Sequence, residues 1–128
     1  MTLDTTFDMT LDTTRNYRLN QHSLHSARLA DYKELNQQLM EGLQRFIDDQ
    51  DTRKTHEFFG RYENIYIDAE KIPAINRVIR TVSEIAAEIL QQPAEELKAG
   101  LWFNLMKPGD RTTLHRHDDD DELLSAVY

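Results

Sequence analysis

Cysteine is absent from the chain, which removes disulfides, thiolate zinc sites, iron–sulfur clusters and cysteine nucleophiles together. Any metal must then be held by imidazole and carboxylate. Glycine is scarce, and Gly42, Gly60, Gly100 and Gly109 are too scattered to form a phosphate-cradling loop. No apolar run approaches the roughly 18 residues that a spanning helix needs, and the N-terminus has no basic region followed by an apolar stretch. The expectation is a cytoplasmic protein with no membrane partner. Positive charge is in deficit: 15 Lys and Arg against 23 Asp and Glu leave a net charge of -8. Such a surface repels a phosphate backbone, so no nucleic-acid partner is expected.

What is present is one domain's worth of ordinary soluble chain, 128 residues with 39% hydrophobic and 30% charged residues. Met1-Thr2-Leu3-Asp4-Thr5-Thr6 is repeated almost unchanged as Met9-Thr10-Leu11-Asp12-Thr13-Thr14. Two short polar copies cannot stack as a solenoid, so residues 1–20 read as a flexible leader. Residues 21–128 read as a single domain, helical to about residue 99 and β-rich from about 100.

From Ser26 to Asp49, Leu29, Tyr32, Leu35, Leu39, Leu43, Phe46 and Ile47 recur at three- and four-residue steps and predict an amphipathic helix. Asp48 to Lys54 is a polar break, and Gly60 to Ile67 has the β-branched and aromatic content of a strand. Pro73 fits the first turn of a second helix that buries Ile75, Val78, Ile79, Val82, Ile85, Ala86, Ile89 and Leu90, with Pro93 just past its end. Beyond Gly100 the pattern predicts strands at 101–106, 112–117 and 123–128, with a turn at Pro108-Gly109. Helices followed by strands imply an α+β fold, the helices packed on one face of a mostly antiparallel sheet.

The chemistry-bearing residues lie in this last stretch. On a strand, His115 and His117 project from one face, within reach of one ion. Imidazole suits Fe, Zn, Cu and Ni, and two His with one carboxylate is the facial non-heme Fe(II) pattern. Asp119 continues the alternation and is the candidate carboxylate within the acidic run Asp118 to Glu122. That run otherwise reads as a solvated loop and lacks the glycine and ligand spacing of an EF-hand. Asn104 is a candidate cavity-facing amide or a turn former. Trp102, Leu105 and Val127 read as core, and His22, His25 and His56 as surface residues. Ser125 has no base-and-orienter pair, which disfavours a serine hydrolase.

Taken together, Trp102-x-Asn104-x-Met106-x-Pro108-Gly109, His115-x-His117 and Leu124-Ser125-x-Val127-Tyr128 resemble the Fe(II)/2-oxoglutarate-dependent oxygenase superfamily in its prolyl-hydroxylase-like and AlkB-like branches. The likeness covers roughly residues 100 to 128. It implies N-terminal helices packed on part of a double-stranded β-helix, jelly-roll or cupin-like, whose C-terminal strands are missing from this chain. It also implies His115 as first iron ligand, His117 at the position usually held by the Asp of His-x-Asp, and Asn104 and Tyr128 beside 2-oxoglutarate. Met106 stands where AlkB-like members carry Tyr. The family's distal His and its cosubstrate-clamping Arg would come from further chain or a second subunit.

The implied cofactors are Fe(II) and 2-oxoglutarate, and the substrate is a small molecule or protein that the sequence does not specify. A different reading is a non-enzymatic partner-binding module, in which the open edge at Leu123 to Tyr128 pairs with another chain, including a second copy as a homodimer. A third is a cupin-like site using Mn, Ni or Zn.

Overall fold

The computed structural model describes residues 11–19, 22–117 and 121–128. The element order is β1 (Leu11–Leu19), β2 (His22–Leu29), α1 (Tyr32–Phe46), β3 (Arg53–Phe58), β4 (Arg61–Tyr66), α2 (Ala74–Leu90) and a 3₁₀ turn at Ala94–Glu96. This is a small α+β protein with two antiparallel two-stranded sheets, β1–β2 and β3–β4. The chain groups into two compact units, one up to Gln38 and the other from Leu39 to Tyr128.

In the first unit, β1 and β2 pair from Leu11↔Leu29 to Leu19↔His22, with a register shift between Leu11 and Thr13. The segment expected as the start of a helix is therefore a strand: Ser26 pairs with Arg15. The helix begins at Tyr32, and the Leu35 N–H donates to the Asp31 carbonyl at 3.1 Å. Once residues 22–29 belong to a hairpin, their main-chain groups are committed to a ladder and cannot also enter a helix. The first copy of the sequence repeat lies outside the described residues.

The second unit carries the candidate site. Its buried apolar residues are Leu39 and Leu43 on α1, Ile65 on β4, Ile67 and Ile72 in the connector, and Ala74, Ile75 and Val78 on α2. Burial of side chains of this size stabilises by about 1.5–3 kcal/mol each. Gly42 is required here, because a Cβ at that position would meet Ile72 Cγ1 at 2.7 Å. Pro73, with φ -56°, sets α2 in place, and Gln91 closes it in the left-handed region with φ 53°. Of the predicted apolar face of α2 only Ile75 and Val78 are fully buried; Ile79 and the side chains from Val82 onward are half-buried or exposed.

β3 starts in the last two residues of the polar break, Arg53 and Lys54, and runs on through residues 55–58, to which the sequence pattern assigns no element. It pairs with β4 from Arg53↔Tyr66 to Phe58↔Arg61 across the two-residue turn Phe59-Gly60. Both turn residues have positive φ, 49° and 74°, the geometry that matches strand twist in tight hairpins. The ladder opens at one place: His56 has φ 58°, and no pair forms between it and Glu63.

The three strands expected after Gly100 do not form among the described residues. Their place is taken by a single antiparallel bridge, in which Phe103 and Ile65 exchange N–H···O=C bonds of 2.8 and 2.9 Å on the free edge of β4. Alternation gives a segment the capacity to be a strand, but a strand exists only when a neighbour supplies its hydrogen bonds. Without that neighbour the side chains expected in the core stay out of it: Trp102 is 40%, Leu105 39% and Val127 100% exposed.

Candidate metal centre

β4 positions the site. Its inward face reads Glu63, Ile65 and then Ile67 just beyond the strand, so a carboxylate occupies a register position otherwise held by isoleucine. A buried carboxylate needs hydrogen-bond donors. Here they come from the 112–113 segment: the Thr112 hydroxyl donates to Oε1 at 2.6 Å, the Thr113 N–H to Oε1 at 2.7 Å and the Thr113 hydroxyl to Oε2 at 2.6 Å. These hydroxyl bonds, first from Thr112 and then from Thr113, hold the carboxyl well below its ordinary range, at about 2; the Thr113 N–H and nearby Arg61 act in the same direction.

Arg61, two residues earlier on β4, makes the neighbouring ties. It donates from Nη1 to Asn104 Oδ1 at 2.6 Å and from Nη2 to the Arg111 carbonyl at 2.7 Å, and Nη2 lies 3.7 Å from Glu63. A turn at Lys107 to Asp110, closed by the Asp110 N–H on the Lys107 carbonyl and the Lys107 N–H on Asp110 Oδ2, links Asn104 to Arg111. Beside it Phe59, Arg61, Gly109, Asp110 and Arg111 line a small open depression of about 260 Å³.

Thr113 leads directly into the histidines. His115 Nδ1 lies 3.1 Å from the Thr113 carbonyl, His117 Nδ1 lies 2.5 Å from Glu122 Oε1, and the two Nε2 atoms are 3.0 Å apart. The ring centroids are 4.8 Å apart in an edge-to-face arrangement. The rings thus converge although residues 112–117 form no strand; local hydrogen bonds, not a pleat, bring them together.

The hydrogen-bond roles follow from the partners. A carbonyl or carboxylate oxygen can only accept, so both Nδ1 atoms donate, and a ring in its neutral form then presents an unprotonated Nε2. Two lone pairs at 3.0 Å repel each other unless a cation, either a proton or a metal ion, stands between them. Two nitrogens bound at about 2.1 Å to one octahedral ion, at neighbouring right-angle positions, stand about 3 Å apart. The donor set therefore fits a divalent cation. Glu122 on His117 and the Thr113 carbonyl on His115 are acceptors of the kind that fix an imidazole tautomer when such a ring ligates a metal.

Of the residues anticipated from sequence, His115 and His117 come together, and Asn104 is held by Arg61. Tyr128 is 53% exposed. Asp119, the expected carboxylate ligand, lies outside the described residues. Among the described residues no group of three or more His, Asp or Glu converges as a metal cluster, and no helix is long and apolar enough to cross a membrane. Glu63, Arg61 and Glu122 were not anticipated. Glu63 did leave a signal, because it falls in phase with Ile65 and Ile67 on a strand. Comparison with known protein families, curated proteins and solved structures finds no match to this chain.

Proposed function

We propose that His115 and His117 are two ligands of a divalent-metal site, and that residues 100–128 belong to an Fe(II)/2-oxoglutarate-dependent oxygenase of jelly-roll type acting on a small-molecule or protein substrate in the cytoplasm. The observation that carries the reading is the facing pair of Nε2 atoms, each ring locked with Nδ1 as donor. Asp119 is the proposed third ligand. Bound Fe(II) with 2-oxoglutarate would supply the oxidising chemistry. The chain's own residues hold, orient and shield: Arg61 takes the carbonyl end of the Asn104 amide, leaving its Nδ2 donors for a cosubstrate carboxylate, and Tyr128 is proposed to stand beside that cosubstrate.

Anaerobic titration with Fe(II), and with Co(II) as a coloured substitute, tests the site. The wild type is expected to bind one ion, and His115→Ala and His117→Ala to lose it. Equal, weak uptake by all three proteins refutes the metal reading. Release of succinate and CO₂ from 2-oxoglutarate by the iron-loaded protein tests the oxygenase assignment separately, and preference for Mn, Ni or Zn without 2-oxoglutarate turnover favours the cupin-like alternative.

A second reading, partner binding or homodimerisation, is favoured by a specific feature. Leu114 and Val127 are fully exposed, and Leu123, Leu124 and Tyr128 are 56%, 43% and 53% exposed on backbone that forms no ladder. Exposed apolar chain outside the β-ladders, as at Leu123 and Leu124, is a template for strand addition. Sedimentation equilibrium decides it: a concentration-dependent dimer supports the reading, and a monomer at all concentrations removes the homodimer.

A further inference from the structure

We propose that Glu63 is a positioning residue for the histidine pair: it clamps Thr113, and through the Thr113 carbonyl it sets the ring orientation and tautomer of His115. The purpose assigned to this clamp rests on the metal-site reading, but its geometry does not.

An isoleucine at position 63 would complete the row of Ile65 and Ile67 with no charge to desolvate, and buried charges are poor sources of stability compared with apolar packing. What a carboxylate supplies and an alkyl group cannot is a set of acceptors at fixed points. The three hydrogen bonds of its carboxylate go to Thr112 and Thr113, and Thr113 stands two residues before His115.

Thr113 is the relay. Its N–H and its hydroxyl both go to Glu63, while its carbonyl accepts from His115 Nδ1. Holding the amide and the side chain of one residue restrains φ and χ1 and so places its carbonyl carbon, leaving ψ as the one soft angle that aims the oxygen. That carbonyl then selects Nδ1–H on His115 and leaves Nε2 facing His117. Because residues 111–117 have no backbone ladder, this side-chain clamp does for them what sheet pairing does elsewhere.

The test uses the full chain and reads the ring nitrogens of His115 by ¹⁵N–¹H correlation spectra without metal, alongside Co(II) affinity and far-UV circular dichroism. In the wild type His115 is expected as a single Nδ1–H tautomer. In Glu63→Leu and Glu63→Gln that signature should give way to the mixture of an unconstrained imidazole, with Co(II) affinity lower by about 10- to 100-fold and the dichroism unchanged. Lys71→Met, which removes ion pairs to Asp49 and Asp51 away from this segment, should leave both readouts unmoved. Where a Glu63 variant fails to fold, Thr113→Val deletes the bond to Oε2 alone and should shift the same signal less. A folded Glu63 or Thr113 variant with the wild-type His115 signature overturns the inference. A Glu63-dependent tautomer in a protein that binds no Co(II) supports the clamp and refutes the metal reading. Tight Co(II) binding with affinity and tautomer indifferent to Glu63 does the reverse.

Discussion

The β3–β4 hairpin with α2 and the segment from Gly100 to His117 belong to one compact unit, yet they are held by different means. In the hairpin and helix, main-chain groups satisfy one another and Ile65, Ile67, Ile75 and Val78 are removed from water. In the later segment the main chain forms one bridge to β4, at Phe103, the Trp102 ring lies beside Tyr66, and the hydrogen bonds that hold residues 104 and 111–113 run through the side chains of Arg61 and Glu63. Backbone ladders are indifferent to side-chain identity and resist most substitutions. A segment placed by two charged side chains is set accurately but can be released by changing one atom. The histidine pair sits on the second kind of structure.

The sharpest way to break this comparison is to damage each region and ask whether the other notices. Ile75 is 3% exposed on α2. Ile75→Ala deletes buried methyl groups and leaves a cavity, and is expected to reduce stability by about 2–5 kcal/mol in chemical denaturation. Below the unfolding transition, the His115–His117 contact should be intact, with wild-type ring-nitrogen spectra. If the contact is lost while α2 remains folded, the two regions are not separately supported and the contrast fails.

A smaller effect is expected from acid, and it should come from the segment. The Glu63 carboxyl is lowered from 4.5 to about 2 by the Thr112 and Thr113 hydroxyls. A group depressed in the folded state contributes stability that is complete above its unfolded pKa and is lost as pH falls through the folded one. The Glu63 contribution should therefore be constant above about pH 5 and disappear between roughly pH 4.5 and 2. Denaturation midpoints measured across that window should fall less steeply in Glu63→Gln than in the wild type. Parallel curves for the two proteins would show that Glu63 is not the acid-sensitive tie.

The same contrast explains what was legible in the sequence. α2 is legible because Pro73 marks its start and the apolar spacing is regular, and β4 because residues 60–67 are rich in β-branched and aromatic side chains. The start of α1 was misread because Leu29 and Tyr32 fit a helical stripe equally well whether Leu29 ends a strand or sits in a helix turn. β3 carries Arg53, Lys54, His56 and Glu57, too polar to announce a strand that forms only by pairing with β4. The segments after Gly100 show alternation, which reports capacity and not a partner. Within the site, the two-residue spacing of His115 and His117 was visible. Glu122 was masked by a run of carboxylates any of which fits as well, and Glu63 acts from about fifty residues away, where spacing carries no information.

The smallest expected effect sharpens the comparison from the hairpin side. Phe59 is 81% exposed and sits at φ 49°, in the left-handed region that a side chain with a Cβ enters at a cost, followed by Gly60 at φ 74°. Two positive-φ residues in a two-residue turn are the conformation that Asn-Gly adopts most readily. Phe59→Asn relieves the strain but gives up the edge-to-face contact with Phe58, whose ring centroid lies 4.7 Å away. The two effects oppose each other, and relief outweighs a contact made in solvent. A net gain of about 0.5–1 kcal/mol in unfolding free energy is expected. Because the side-chain hydrogen bonds from the hairpin to residues 111–113 come from Glu63 and Arg61 and not from Phe59, the more stable protein should keep wild-type His115 spectra and Co(II) affinity. A stability gain accompanied by a changed metal affinity would mean that the turn, and not only those two side chains, reaches the site.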